Sequence, residues 1–194
     1  MTGRSPEETI LKSALKVVDA KTISGTRMHL IAKEAGMSQS NLHYHFRTKK
    51  ELLLALLHYL QKQFSEDREN DLKNRADSLK QKLGGFFDQK KSIILREPEY
   101  DRVQFDFWSL GQVDPEINGC FQKSFNIWRE NISEIIHFYV PELDENNVRT
   151  VSEIMVSMMM GATMQYLNLE TPVGLEEYFT ICEQMICWYL EKGM

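Results

Sequence analysis

The chain has 194 residues, 42% hydrophobic and 26% charged, with 5 Pro and 10 Gly, which suits one ordinary domain or a small module joined to a larger one and excludes wholesale disorder. Its longest uncharged stretch, Ile154 to Leu169, is interrupted by Ser157, Thr163, Gln165 and Asn168 and falls short of the ~20 apolar residues of a membrane span. The net charge of −5 argues against a nucleic-acid partner, yet residues 1–50 hold nine Lys or Arg against four acids, a local +5 that leaves −10 on the rest.

Read in chain order, the pattern is helix after helix. Ser5-Pro6-Glu7-Glu8 combines an N-cap, a Pro in the first turn and an early acid, and opens a helix over about 6–21 with Ile10, Leu11, Ala14, Leu15, Val17 and Val18 at helical spacing. Ser24-Gly25 ends it. Thr26 is placed to cap a short helix carrying Leu30, Ile31 and Ala35, and Gly36 supplies a C-terminal stop. Ser38 caps a third helix with Leu42 and Phe46 on its buried side. Thr48-Lys49-Lys50-Glu51 is a capping box that starts a long helix through Leu60 and beyond. The polar run Ser65 to Asn74 reads as the frayed end of that helix and a connection. Further helices are predicted over 76–95, 99–111, 115–139, 144–169 and 175–191, bounded by Pro98, Asp114-Pro115-Glu116, Pro141, Pro172 to Gly174 and Gly193. With no alternating pattern of useful length, the expected fold is all-α, about nine helices, divided into a head (residues 1–50) and a bundle (51–194).

The two short helices, joined through Gly36-Met37-Ser38, have helix-turn-helix spacing, in which the second helix enters the major groove. With Leu42 and Phe46 turned inward, Gln39, Ser40, His43 and Tyr44 share the exposed face, where their side chains can address base edges and phosphates. Lys49 lies at a helix N-terminus, which also favours a phosphate. His43 and His45 point to different faces and make poor joint metal ligands, so no metal and no cofactor is expected. Three cysteines without CxxC spacing, and opening residues without an apolar signal segment, lead us to expect a cytoplasmic protein without a disulfide framework.

The run from Thr26 to Leu52 resembles the signature of the tetracycline-repressor (TetR) family. The matching positions are Thr26, Ile31, Ala32, Ala35, Gly36, Ser38, Leu42, His45, Phe46, Lys49 and Leu52. Two positions depart from it. His43 stands where the family usually has a Tyr that touches the DNA backbone, with Tyr44 adjacent, and Ser40 replaces a usual Gly, Ala or Pro. Neither departure bears on the fold; both leave the operator sequence open. The candidate DNA contacts are Arg4, Thr26, Arg27, Ser38, Gln39, Ser40, Asn41, His43, Tyr44 and Lys49.

The resemblance further implies an effector cavity in the bundle and a homodimer through the last two helices. Aromatic and Met residues concentrate in the back half, where a core stripe is the default reading. Such side chains also adapt to a small apolar or aromatic effector, for which Phe87, Phe105, Trp108, Phe125, Trp128, Met155 and Met159 are the candidates. Residues 178–190 are apolar around most of the helix, so one face needs cover beyond its own bundle. The candidate dimer contacts are Gly161, Met164, Phe179, Ile186 and Tyr189. A dimer would set two recognition helices roughly 34–36 Å apart on a pseudo-palindromic double-stranded operator. The expected function is therefore a ligand-released repressor. An enzyme is disfavoured for want of a nucleophile–base pair, metal cluster or phosphate-cradling loop. An all-α ligand-binding or protein-interaction module whose head no longer reads DNA is the alternative, supported by the Leu42-His43 departure.

Overall fold

A computed structural model describes residues 5–167 and 170–192. Among them are nine α-helices and no strand: α1 (Pro6–Gly25), α2 (Met28–Glu34), α3 (Gln39–His45), α4 (Lys49–Asn74), α5 (Leu79–Arg96), α6 (Pro98–Gly111), α7 (Pro115–Tyr139), α8 (Glu145–Tyr166) and α9 (Leu175–Lys192). The all-α expectation holds. The start signals read from sequence are realised in the backbone: Ser5 Oγ accepts from the Glu8 N–H at 3.1 Å, Ser38 Oγ from Asn41 at 3.1 Å, and Thr48 Oγ1 from Glu51 at 3.1 Å. Among the described residues no helix is long and apolar enough to cross a membrane. The predicted stop at Gly193 and the final residues of the 144–169 helix, Asn168 and Leu169, lie outside the described residues.

The chain forms two compact units. The first holds the chain up to Phe64 together with Glu99–Phe121, and the second holds Ser65–Pro98 with the chain from Gln122 onward. α4 is thus shared between the two units at Phe64, and α6 belongs to the first.

In the first unit, Ile10, Ala14, Ile31, Leu42, Leu52, Leu56, Leu57 and Leu60 are fully enclosed. The turn between α2 and α3 is a Schellman motif: Met37 N–H donates to Ala32 O at 3.0 Å and Gly36 N–H to Lys33 O at 3.2 Å. Its geometry needs Gly36 at φ 67°, a conformation that a Cβ disfavours. The first helix breaks at Thr22, whose φ of 59° and ψ of 168° lie where β-branched residues rarely go. Four bonds hold that break. Thr26 donates to Thr22 O from its N–H (3.1 Å) and its hydroxyl (2.7 Å), Ile23 N–H donates to Asp106 on α6, and Lys49 Nζ donates to Ile23 O. Thr26 therefore closes α1 instead of capping α2, whose N-cap residue is Arg27 with no side-chain cap bond. From α6, Arg102 grips Asp19 through Nε (2.7 Å) and Nη2 (2.9 Å).

The second unit is organised around Leu83, Phe86, Phe87, Ile132, Ile136, Val148, Val151, Met155, Met159, Phe179, Cys182, Ile186 and Leu190. Contrary to the frayed end read from its polarity, α4 continues as helix to Asn74. The pairs Lys73–Glu69 (2.7 Å) and Arg75–Asp71 (2.5 Å) span its turns, while Arg68 and Leu72 turn inward. Gly85 explains why α5 tolerates a glycine in mid-helix: a Cβ there would stand 2.8 Å from Leu72 Cδ2 and 2.9 Å from Arg75 Nε, so its absence lets α4 and α5 approach.

Two glycines give opposite expectations. Gly36→Ala should destabilise the protein by about 1 kcal/mol through backbone strain alone, since a Cβ there meets nothing within 4 Å. Gly119→Ala, mid-helix and equally uncrowded, should stabilise by about 0.5–1 kcal/mol. Chemical denaturation of the two variants reads both signs.

Candidate nucleic-acid interface

The second short helix is seated by Leu42, which is fully buried, and by Phe46 just beyond its end. Helical geometry then turns Gln39, Ser40, Asn41 and Tyr44 to solvent, with Tyr44 84% exposed. Ser38 is exposed but its hydroxyl is occupied as the cap. His43 is half-buried and bonded at both ring nitrogens: Nε2 lies 3.3 Å from Gln39 Nε2 and Nδ1 lies 3.2 Å from Arg47 O. The Tyr44 ring packs edge-on against His45, with centroids 5.4 Å apart.

Two candidate DNA contacts need correction. Thr26 is fully buried, its hydroxyl bonded to Thr22 O, so it supports the fold and presents nothing to a partner. Lys49 turns its ammonium inward to Ile23 O, a carbonyl at the break in α1 that also accepts from the Thr26 N–H at 3.3 Å. Desolvation, then the neighbouring Arg27 charge, lowers its pKa against the opposing pull of Asp106. Arg27 is exposed, and its guanidinium donates to Ser24 O (2.7 Å) and Thr26 O (3.0 Å). Arg4 lies outside the described residues.

The basic count of the first 50 residues is partly cancelled inside the first unit. Lys50 pairs with Asp114 (2.9 Å) and Glu116 (3.0 Å), whose hydrogen bonds raise its pKa, and Lys16 pairs with Glu34 (3.2 Å). Among the described residues, Lys21, Lys33 and Arg47 are exposed cations without an ion pair. Arg47 was missed as a candidate. It immediately follows the Phe46 cap of α3, and its backbone N–H is taken by Glu51 (2.9 Å) while its guanidinium is free. The local charge of +5 was the signal for it.

The effector candidates fall into two groups. Phe87, Met155 and Met159 belong to the second unit's core, with Phe125 and Trp128 packed against it; Phe87 lies 5.5 Å from the Phe179 ring and Phe125 stacks 6.3 Å from Trp128. Phe105 and Trp108 belong to the first unit. On α6 the side chain that turns inward is Phe107, fully buried, while Trp108 is 51% exposed, because the helical period places adjacent residues about 100° apart.

On the last two helices the apolar residues sort into two stripes. Phe179, Cys182, Ile186 and Leu190 face the core, whereas Ile181, Met185 and Trp188 face out. Phe179 is thus a core residue and not a surface contact. An open groove of about 620 Å³ runs along α8 and α9, lined by Ile154, Met158, Met185 and Trp188, with Ile186 at its base and Tyr189 at its side. Tyr189 donates from its hydroxyl to Asn147 Oδ1 at 2.9 Å. Met164 is exposed, and a Cβ on Gly161 would meet nothing.

Residues 10–56 match the family described as bacterial regulatory proteins, tetR family. No curated protein matches the chain. Solved structures share the backbone over nearly its whole length. A TetR transcription regulator from Haloarcula marismortui ATCC 43049 has a TM-score of 0.80 and 18% identity, covering 96% of this chain and 96% of that one. A transcriptional regulator from Saccharomonospora viridis in complex with choline gives 0.80 and 19%, covering 96% and 95%. The regulator FadR from Bacillus subtilis in complex with stearoyl-CoA gives 0.76 and 17%, covering 96% and 98%. At such identities the likeness is one of fold; the match over residues 10–56 is to the tetR family of bacterial regulatory proteins.

Proposed function

We propose that the protein is a ligand-released repressor that binds a pseudo-palindromic operator as a homodimer. The observation that carries this reading is the outward face of α3. Gln39, Ser40, Asn41 and Tyr44 project from a helix whose other side is locked by Leu42, so hydrogen-bonding side chains stand ready on a seated scaffold. Their surroundings suit a polyanion, with Arg47 and Lys33 uncompensated nearby in sequence and the capped α3 N-terminus available to a phosphate oxygen. Direct readout falls to Gln39, Ser40 and Asn41; Tyr44, Arg27 and Arg47 take the phosphates. His43, fastened between Gln39 and Arg47 O, orders the helix face more than it reaches out.

Dimerisation would use the outer stripe of α8 and α9. Ile154, Met164, Ile181, Met185 and Trp188 are each at least 41% exposed, a concentration of apolar surface that a monomer rarely leaves in water. Open space at Gly161 would admit a partner helix. Effector control is supported by fold: regulators of this backbone are seen with choline and with stearoyl-CoA. Here the aromatic and Met side chains of the second unit, including Phe87, Phe125, Trp128, Met155 and Met159, would receive the effector, and its binding would favour a head spacing that no longer meets both half-sites.

Two outcomes test the reading. On genomic fragments enriched by the purified protein, Gln39→Ala should cost about 1–3 kcal/mol and relax sequence preference, while Arg47→Ala should weaken all sequences alike and reduce the salt slope by about 1. Fluorescence anisotropy at several salt concentrations separates the two, and unchanged affinity in both variants would remove the DNA-reading role of α3. The combined Met185→Glu and Trp188→Glu variant should sediment as a folded monomer where the parent protein sediments as a dimer. A parent protein that is itself monomeric at micromolar concentration would overturn the α8–α9 interface.

A further inference from the structure

Arg68 is a buried cation on α4. It sits on the inner face of α4, only 7% exposed, and its guanidinium packs over two rings, 5.4 Å from the Phe86 centroid and 5.5 Å from that of Trp128. Among the described residues no carboxylate pairs with it. Its hydrogen bonding is confined to Nη1, which donates to Gln89 Oε1 at 3.3 Å. Nε is buried without an acceptor, and so is the indole Nε1 of Trp128.

The unmet donors define a shape. With Nη1 given to Gln89, the edge of the guanidinium formed by Nε and Nη2 remains open, and that edge presents two parallel N–H groups to a carboxylate. The same protein uses this edge elsewhere: Arg102 holds both oxygens of Asp19 through Nε and Nη2, at 2.7 and 2.9 Å. Burial without a counter-ion lowers the Arg68 pKa to about 10, a sign of how much its charge lacks compensation. A buried cation and a buried indole donor, both unsatisfied, are unusual in a settled core and recur where a ligand completes the bonding.

We propose that Arg68 and the Trp128 indole N–H bind the carboxylate of an amphipathic effector, whose apolar part lies among the aromatic and Met side chains of the second unit. The assignment rests on the effector-controlled reading above and sharpens it from an apolar molecule to an apolar acid. One guanidinium, flanked by rings, matches a planar monoanion. A phosphate or a coenzyme A thioester would bring several charges to a place that offers one. The Phe86 and Trp128 rings packed on Arg68 would limit water around the ion pair and strengthen it.

The test uses the full chain with two probes that share a tail, decanoate and decanamide. Calorimetric titration and thermal shift should show decanoate binding at least about tenfold more tightly than decanamide, as expected for a charge-assisted pair. Arg68→Met should erase that preference, and the ligand-free variant should melt no lower than the parent, because it loses a stranded charge and keeps the packing volume. Trp128→Phe should weaken decanoate several-fold while leaving decanamide unchanged. Equal binding of the two probes, absence of decanoate binding, or retention of the preference in Arg68→Met would overturn the assignment. So would a marked fall in the melting temperature of ligand-free Arg68→Met, which would make Arg68 a structural residue. If decanoate binds through Arg68 yet leaves the protein on its DNA, the carboxylate site stands and effector-controlled release falls.

Discussion

The burial of Leu42 is the contact on which a DNA-reading role depends. An isolated seven-residue helix is unstable in water, because helix nucleation costs more than so few hydrogen bonds return. α3 has only Gln39–His45. It persists because Leu42 is fully enclosed, Ser38 caps its first turn, and the Gly36 motif ends α2 at an angle that delivers the next helix onto the same core. The polar face of α3 is then whatever Leu42 leaves outside, and sequence can vary there without disturbing the seat. This division of labour suits a reader of DNA: inward residues set the pose and outward residues set the preference.

Charge follows a similar division. The first 50 residues carry +5 in a chain of −5, but not every cation faces outward. Lys49 serves the break in α1, and Lys50 is neutralised by Asp114 and Glu116 at the start of α7. The carboxylates of Asp106, Asp114 and Glu116 thus sit with the head in one compact unit, although the sequence places them some sixty residues later. Within that unit, a shift in α6 or in the first turn of α7 would act on the α1 break and on the start of α4 through these bonds.

Much of this was legible in the sequence because it is locally encoded. Caps at Ser5, Ser38 and Thr48, the Gly36 stop and the Leu42/Phe46 pair all act within a few residues of the helix ends they define. What escaped was tertiary. The fate of Lys49 and Thr26 turns on the carbonyls of Thr22 and Ile23 at the break in α1, which no spacing rule announces. The far end of α4 reads as a connection because its inward positions include Arg68, whose charge hides the apolar period. On α9, apolar residues run nearly all the way round the helix, and periodicity alone does not say which stripe packs inward; Phe179 and Ile186 face the core, and Ile181, Met185 and Trp188 hold the surface.

The most direct measurement of the central claim, that the basic head of this acidic chain reads DNA, is the salt dependence of binding to its own enriched genomic fragments. Neutralising phosphates by the two heads of the proposed dimer would release counter-ions, so affinity should fall by about 10³-fold or more between roughly 50 and 200 mM salt while a preference for one sequence over bulk DNA persists. Binding that stays flat across that range would contradict the account.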